Sequence, residues 1–224
     1  MKSLKFLMLP LALTIFFTLA SATTDESRET EKLHSSANVL REFGKMKESI
    51  PHELIEDCKG IVVVPGMINA GFVVGGKRGR GIAMVKLENG QWSDPVFITL
   101  TGGSVGFQIG VQSVDLVLVF RHKGVLTKVK SGDFTIGGDI SATAGPVGRS
   151  STASTDYKME AEIYSYSRSR GLFAGISING SSLSIDQTAN AKYYGDEISS
   201  PQLFETASSN AKAVKLVKDA LAGL

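Results

Sequence analysis

The sequence has little of what would build a metal site, a disulfide framework or a membrane span. Cys58 is the only cysteine among 224 residues, which excludes an internal disulfide and a cysteine-cluster metal site. We interpret it as a small buried hydrophobe, with a reactive thiol as the alternative. The three histidines are not at metal-ligand spacing. The one long apolar run, Phe6 to Leu19, is shorter than the roughly 20 residues that a spanning helix needs.

The sequence also has no net positive charge when residues 1–22 are left out of the count. Lys2 and Lys5 precede the apolar run, and Ala20-Ser21-Ala22 follows it, which predicts a secretory signal peptide over residues 1–22. Its removal would take two lysines and no acid from a formal net charge of +2, leaving zero. A neutral chain argues against general nucleic-acid binding. Because Cys58 lies far beyond the predicted cleavage point, we expect an exported protein that is not a lipoprotein.

Both ends of the remaining chain have helical periodicity. Residues 23–32 are polar, and we interpret them as a frayed lead-in to a single domain over residues 33–224. One apolar stripe then predicts an amphipathic helix: Leu33, Ala37, Leu40, Phe43, Met46 and Ile50. A second stripe after Pro201 predicts one terminal helix: Leu203, Phe204, Ala207, Ala211, Val214, Val217 and Leu221. The first helix could pack over the core or lie in a bilayer interface, and packing is the favoured interpretation.

The middle of the chain is rich in glycine and in short β-branched runs. Between Gly60 and Gly148 lie 18 of the 24 glycines. Five runs predict strands: 61–64, 71–74, 82–87, 96–100 and 114–120. Asn89-Gly90 and Asn179-Gly180 are typical of hairpin turns, and glycine within strands indicates bent or closely packed sheets. The predicted fold class is α+β: a glycine-rich, mainly antiparallel sheet or barrel-like core with helices at the N- and C-terminal ends.

One short motif is compatible with hydrolysis. The stretch from Gly102 to Gly106 fits the G-x-S-x-G pattern, in which Ser104 would be a nucleophile between a strand and a helix. Gly110 and β-branched residues follow where that helix should begin, and His122 is the only histidine after the serine. A glycine-rich pair of strands is the favoured interpretation, and a serine hydrolase is a remote alternative.

Cations cluster at a few places in this otherwise neutral chain. Lys77, Arg78 and Arg80 lie in a glycine-rich stretch, residues 75–81, between two predicted strands. We interpret the stretch as a loop, either a hairpin whose cations are merely solvated or one whose backbone can approach an anionic headgroup. Each Lys or Arg near an anionic membrane contributes about 1 kcal/mol, so several clusters together could hold a protein on its surface.

Several strings, in one order, resemble those of the SYLF lipid-binding domain family. They are Trp92 to Pro95, Gly103 to Gly110, Ala144 to Arg149, Tyr164 to Gly175 and Tyr193 to Gly195. The resemblance covers residues 35 to 205 or so, and the chain is similar to exported bacterial members. It implies phospholipid binding, with no enzymatic activity and no cofactor. Some eukaryotic relatives associate with actin, often through chains with an SH3 domain. This chain has no SH3-like extension, so we expect no actin partner.

The same resemblance implies particular headgroup-binding residues. Arg149 and Arg168 lie inside the strings, and Arg170 is a basic position in the same string as Arg168. Lys77, Arg78 and Arg80 join them on the charge argument. The predicted headgroup site therefore comprises six cations: Lys77, Arg78, Arg80, Arg149, Arg168 and Arg170.

Three hypotheses for function follow from the sequence. The first is an exported, non-enzymatic domain, periplasmic or secreted, that binds anionic phospholipids peripherally through a local basic patch. The second is a cell-envelope interaction or scaffold module whose basic loops meet an acidic protein partner. The third is the hydrolase built on Ser104. No metal and no cofactor is expected.

Overall fold

The computed structural model describes most of the chain from residue 28 onward. The described residues are 28–46, 49–122, 134–138, 142–145, 161–169, 171–173, 176–196 and 199–224. The predicted signal peptide and residues 23–27 of the lead-in lie outside them. No helix within the described ranges is long and apolar enough to cross a membrane.

Helices flank a sheet that has seven strands in the described part of the chain. Helix α1 covers residues 28–45, and α2 covers His52–Asp57. The strands are β1 (Gly60–Val85), β2 (Val96–Phe120), β3 (Phe134–Ile136), β4 (Ala142–Ala144), β5 (Ile163–Ser169), β6 (Leu172–Phe173) and β7 (Ser181–Ile185). Three helices follow: α3 (Gln187–Tyr194), α4 (Ser200–Leu203) and α5 (Lys212–Ala222). The predicted α+β class, with a mainly antiparallel, barrel-like sheet and helices at both ends, is confirmed.

Strand β2 is the centre of the sheet. Its whole length pairs with β1 as one antiparallel hairpin, from Gly60↔Phe120 to Ala83↔Val96. Its other edge pairs with β7 along residues 98–102 and with β5 along residues 115–120. Strand β3 extends the sheet beside β7, while β4 (parallel) and β6 (antiparallel) lie beside β5. One long strand therefore positions all the others.

The three runs predicted as strands between residues 61 and 87 are strand to Val85, but they are not separate strands. The three predicted runs merge into β1, which is continuous to Val85. Glycines at 71, 75 and 76 do not end the strand, because β2 supplies a partner for each of them. Two register shifts, at Val64/Met67 and Gly71/Val73, allow the strand to bend instead.

Both faces of the sheet are buried. Alternate residues of β1 and β2 point to opposite faces, so Ile61 and Val63 belong to one apolar cluster and Val62 and Val64 to another. Helices α1, α2 and α5 cover the first cluster, and we call this side the helix-covered face. The second cluster lies between β1, β2, β5 and β7, in the interior of the bent sheet.

The terminal helices bury the predicted apolar stripes, but they begin and end at residues other than those predicted. In α1 the residues Leu33, Ala37, Leu40 and Phe43 are fully buried, as packing over the core requires. This helix takes in residues 28–32 of the polar lead-in and ends at residue 45, before Ile50. The single terminal helix was a wrong prediction, because α4 ends at Leu203 and α5 begins at Lys212. The segment between them is held by hydrogen bonds to Asp94 and not by those of a helix. The Thr206 carbonyl accepts from the Asp94 backbone N–H, and the Ser209 backbone N–H donates to the Asp94 carboxylate.

Both Asn-Gly dipeptides form turns with glycine in the left-handed region. Gly90 has φ +80° and Gly180 has φ +74°. The first turn closes the β1–β2 hairpin through the bridge Lys86↔Trp92, as predicted. The second leads into β7, whose partners are β2 and β3, so it does not join two paired neighbours.

Cys58 should be almost inert to alkylation while the protein is folded. Its side chain is fully buried, its thiol donates to the Ile55 carbonyl at 3.1 Å, and burial raises its pKa to about 11. We expect iodoacetamide at pH 8 to react at least roughly 100-fold more slowly than with the urea-unfolded chain. Mass spectrometry of the adduct measures this ratio, and comparable rates in the two states would contradict the buried interpretation.

Candidate anion-binding surface

The stretch that carries Lys77, Arg78 and Arg80 is strand, and the predicted loop was wrong. These residues pair with Gly102, Thr101 and Thr99 of β2. Because successive side chains point to opposite faces, Lys77 points into the interior and both arginines onto the helix-covered face. The three cations therefore do not form one cluster.

Lys77 is a buried cation. Only 6% of the residue is exposed, and its ammonium donates to the Ser177 carbonyl oxygen. Burial lowers the pKa of this ammonium, because the charged form is the one that loses hydration. Its position suits a role in holding the 176–178 segment against β1.

Arg80 joins three elements by ion pairs. Its guanidinium binds Glu29 of α1 at 3.3 Å and Asp186, which precedes α3, at 3.0 Å. Asp186 also caps α3 by accepting from the backbone N–H of Ala189. The charge of Arg80 is therefore largely offset by two carboxylates.

Arg168 lies under α1. It binds Asp115 of β2 at 2.9 Å and Glu42 of α1 at 3.5 Å, and its guanidinium lies 5.9 Å from the centre of the Phe43 ring. The other oxygen of Asp115 accepts from the backbone N–H of Gly66 at 2.9 Å. These contacts tie the first helix to the sheet, and only 15% of the Arg168 side chain is exposed.

Arg78 and Arg80 are the exposed residues among the predicted cations that the structure describes, and Arg78 differs from Arg80 in its pairing. It is exposed and has no ion-pair partner within the described ranges. The other two predicted cations, Arg149 and Arg170, lie outside those ranges.

Two further cations, which the sequence reasoning missed, lie close to Arg80. Arg28 and Lys32 of α1 line a small cleft, of about 10 Å³, together with Arg80, Glu29, Gly81, Phe97 and Ile98. Burial, and then the charge of Arg80, lower the pKa of Lys32. The spacing of four between Arg28 and Lys32 is the signal that could have found them, since it places both on one side of a helix. We call Arg28, Lys32, Arg78 and Arg80 the basic surface.

Two of the strings that carried the family resemblance, 92–95 and 193–195, help to hold the fold together. The Trp92 ring packs beneath the Lys86 ammonium, and the hydroxyl of Ser93 accepts from the Val85 backbone N–H at 3.0 Å. The hydroxyl of Tyr194 donates to the Pro95 carbonyl at 2.7 Å. The first two contacts close the end of the β1–β2 hairpin, and the third joins it to α3.

Asp94, in the same string, connects the hairpin to the C-terminal helix. Its buried carboxylate accepts from the Lys218 ammonium at 2.8 Å and from the Ser209 backbone N–H at 2.9 Å. The backbone N–H of Asp94 donates to the Thr206 carbonyl at 2.7 Å. Every polar group of this residue that the structure describes therefore has a structural use.

The arrangement around Ser104 does not match a hydrolase nucleophile. Residues 102–110 belong to β2, which continues to Phe120, so no helix follows the serine. A nucleophile elbow requires that helix. Nor do the described residues contain a group of three histidine, cysteine or acidic side chains that could hold a metal ion.

Known proteins are similar to most of this chain. Residues 101–223 match the family described as Ysc84, Las17-binding protein actin regulator. The chain is 34% identical over 180 residues to the SH3 domain-containing YSC84-like protein 1 of Xenopus laevis, covering 80% of this chain and 53% of that protein. It is 35% identical over 170 residues to the human protein of that name, covering 73% and 49%. Protein YSC84 of Saccharomyces cerevisiae is 34% identical over 184 residues, covering 78% and 38%.

These similarities concern one part of longer relatives. The chain spans about half the length of the vertebrate relatives and less of the yeast protein. The family description names a binding protein and an actin regulator, and it names no reaction. Its mention of actin is at odds with the expectation that this chain has no actin partner.

Proposed function

We propose that this chain, which belongs to the Ysc84 family, binds anionic phospholipid through the basic surface. The SYLF domains that its sequence resembles correspond to this family. The observation that carries the proposal is Arg78, an exposed guanidinium without an ion-pair partner among the described residues. It lies two residues from Arg80 on the same face of β1, and Arg80 borders the cleft that Arg28 and Lys32 line.

The expected binding is weak, peripheral and sensitive to salt. Glu29 and Asp186 offset Arg80, so the attraction comes mainly from Arg78 with contributions from its cationic neighbours. At about 1 kcal/mol for each cation near an anionic surface, one to three cations give roughly 1–3 kcal/mol. Screening shortens the range of such attraction as ionic strength rises. In this proposal Lys77 and Arg168 support the fold and Arg78 contacts lipid.

We further propose that the working form is exported and non-enzymatic, and that it meets lipid on the outer side of the cell's inner membrane or outside the cell. The predicted signal peptide supports this location. The apolar run from Phe6 to Leu19 would itself enter vesicles, so binding is best measured with residues 23–224. That segment contains all of the described fold.

Charge reversal at Arg78 should weaken binding to anionic vesicles about 30-fold, because it replaces an attraction of about 1 kcal/mol by a repulsion of similar size. The measurement is co-sedimentation of Arg78→Glu with vesicles that contain phosphatidylserine. Lys215→Glu makes the same charge change at an exposed position on α5 and is the matched control. Equal weakening by both variants would indicate a response to net charge alone, and no weakening by Arg78→Glu would remove Arg78 from the site.

A protein partner is the second candidate function. The family description names Las17 binding and actin regulation, and the same basic surface would suit an acidic protein. Co-sedimentation of residues 23–224 with actin filaments tests it. Recovery with filaments but not with anionic vesicles would favour this candidate over lipid binding.

A further inference from the structure

Glu29 of α1 has a buried carboxylate oxygen that lacks a hydrogen-bond donor. The residue is 4% exposed, and its Oε1 accepts from the Arg80 guanidinium at 3.3 Å. Its Oε2 is also buried and has no hydrogen-bond partner in the part of the chain that the structure describes. A charged acceptor that is buried without a donor is costly, so this oxygen favours any donor group that can reach it.

The small cleft that Glu29 lines has room for one group of about the size of water. Its volume of about 10 Å³ is close to the least that holds a single water molecule. Two of its lining residues, Phe97 and Ile98, are buried, whereas Arg28 and Arg80 are exposed. The cleft therefore leads from the basic surface to the buried carboxylate.

The charges around the cleft select the kind of donor. Three cations line it, Arg28, Lys32 and Arg80, against the one carboxylate of Glu29. An ammonium group that entered would meet like charges, and burial and then the charge of Arg80 already lower the pKa of Lys32. The oxygens of a phosphodiester have no proton to donate and are attracted to the cations instead. An uncharged hydroxyl can donate, and the cations do not repel it.

We propose that the basic surface prefers anionic phospholipids whose headgroup carries an uncharged hydroxyl, as that of phosphatidylglycerol does. The hydroxyl donates to Oε2 of Glu29, while the phosphate stays with the cations of the basic surface. This inference rests on the proposed lipid binding and names the class of headgroup that the same surface takes. The hydroxyl reproduces the hydrogen bond that a water molecule would donate in the cleft, so the headgroup can displace such a water without losing that bond.

Vesicles of equal charge test this preference. Residues 23–224 are co-sedimented with vesicles that contain the same fraction of either phosphatidylglycerol or phosphatidylserine, whose headgroup has the same net charge but bears an ammonium and a carboxylate. We expect binding to the phosphatidylglycerol vesicles to be about fivefold tighter, as one net hydrogen bond would make it. Equal binding, or tighter binding to phosphatidylserine, overturns the inference while the proposed function stands. Binding to neither overturns both.

Glu29→Gln tests whether the preference comes from this carboxylate. The amide keeps the shape of the side chain but has a single acceptor oxygen, which Arg80 engages. The ratio of the two affinities should fall from about five to about one, even though the loss of a negative charge should strengthen binding to both kinds of vesicle. Glu31→Gln makes the same charge change at an exposed position on α1 and should keep the ratio near five. A ratio that survives Glu29→Gln overturns the inference.

Discussion

Replacing Asp94 by alanine should lower the free energy of unfolding by about 3 kcal/mol, since truncating one member of a buried ion pair leaves the other charge without its partner. Asp94 is 1% exposed, and its carboxylate joins the Lys218 ammonium and the Ser209 backbone N–H. The ammonium of Lys218 is partly exposed and can recover some hydration, which keeps the loss at the lower end of the range for such pairs. The C-terminal helix should be the element that loosens.

Urea unfolding followed by circular dichroism measures this loss. Asp219→Ala removes an exposed carboxylate from the same helix and should change stability by less than about 0.5 kcal/mol. Asp94→Asn keeps the shape of the side chain and one acceptor oxygen, so the free energy of unfolding that it loses should lie between those of the two alanine variants. A loss for Asp94→Ala no larger than that of the Asp219 variant would show that the buried pair does not hold α5.

Replacing Gly81 by alanine should be comparably damaging, at about 3 kcal/mol, because the added methyl group would overlap backbone atoms. A Cβ on Gly81 would lie on the Val63 carbonyl oxygen and 2.9 Å from the Val64 Cα. Residues 63 and 81 belong to the same strand, so glycine here lets the two halves of β1 meet as the sheet bends. Backbone atoms held in a ladder cannot move aside as a flexible side chain could.

Gly76 is the matched control for this substitution. It lies on the same strand, and the nearest atom to a Cβ there is the Gly102 carbonyl oxygen at 3.8 Å. Gly76→Ala should be neutral or slightly stabilising, because alanine loses less chain entropy on folding than glycine does. Equal thermal stabilities for the two variants would contradict the close contact within β1.

The class of fold could be predicted because its signals are local. The stripe of α1 and the Asn-Gly turn at residue 90 depend on neighbours a few residues away, and the structure has both. The glycine content indicated a bent sheet, and the contact at Gly81 is such a bend. The continuity of β1 could not be predicted, because it depends on pairing with residues of β2 that are distant in sequence.

The candidate site was predictable only in part, for a related reason. Charge patterning finds a cation, but only the fold decides whether it has a partner. Arg168 pairs with Asp115 and Glu42, which are distant in sequence, and Lys77 donates to a carbonyl a hundred residues away. Once residues 75–81 are taken as strand, the alternation of side chains separates Lys77 from Arg78 at once.

Several residues of the family strings have structural roles in the described fold. Asp94, Arg168 and Tyr194 make contacts that position helices on the sheet. In our proposal the membrane contact falls on Arg78, an exposed residue that lies outside these strings. Lipid binding and stability then depend on different residues, so a substitution can change one without the other.

The most direct test of the proposed lipid binding is the partition of residues 23–224 between buffer and vesicles as the fraction of anionic lipid is raised at fixed vesicle size. We expect recovery in the vesicle pellet to rise with the anionic fraction and to fall as salt is added. Equal recovery with neutral and anionic vesicles, or none with either, would contradict the account.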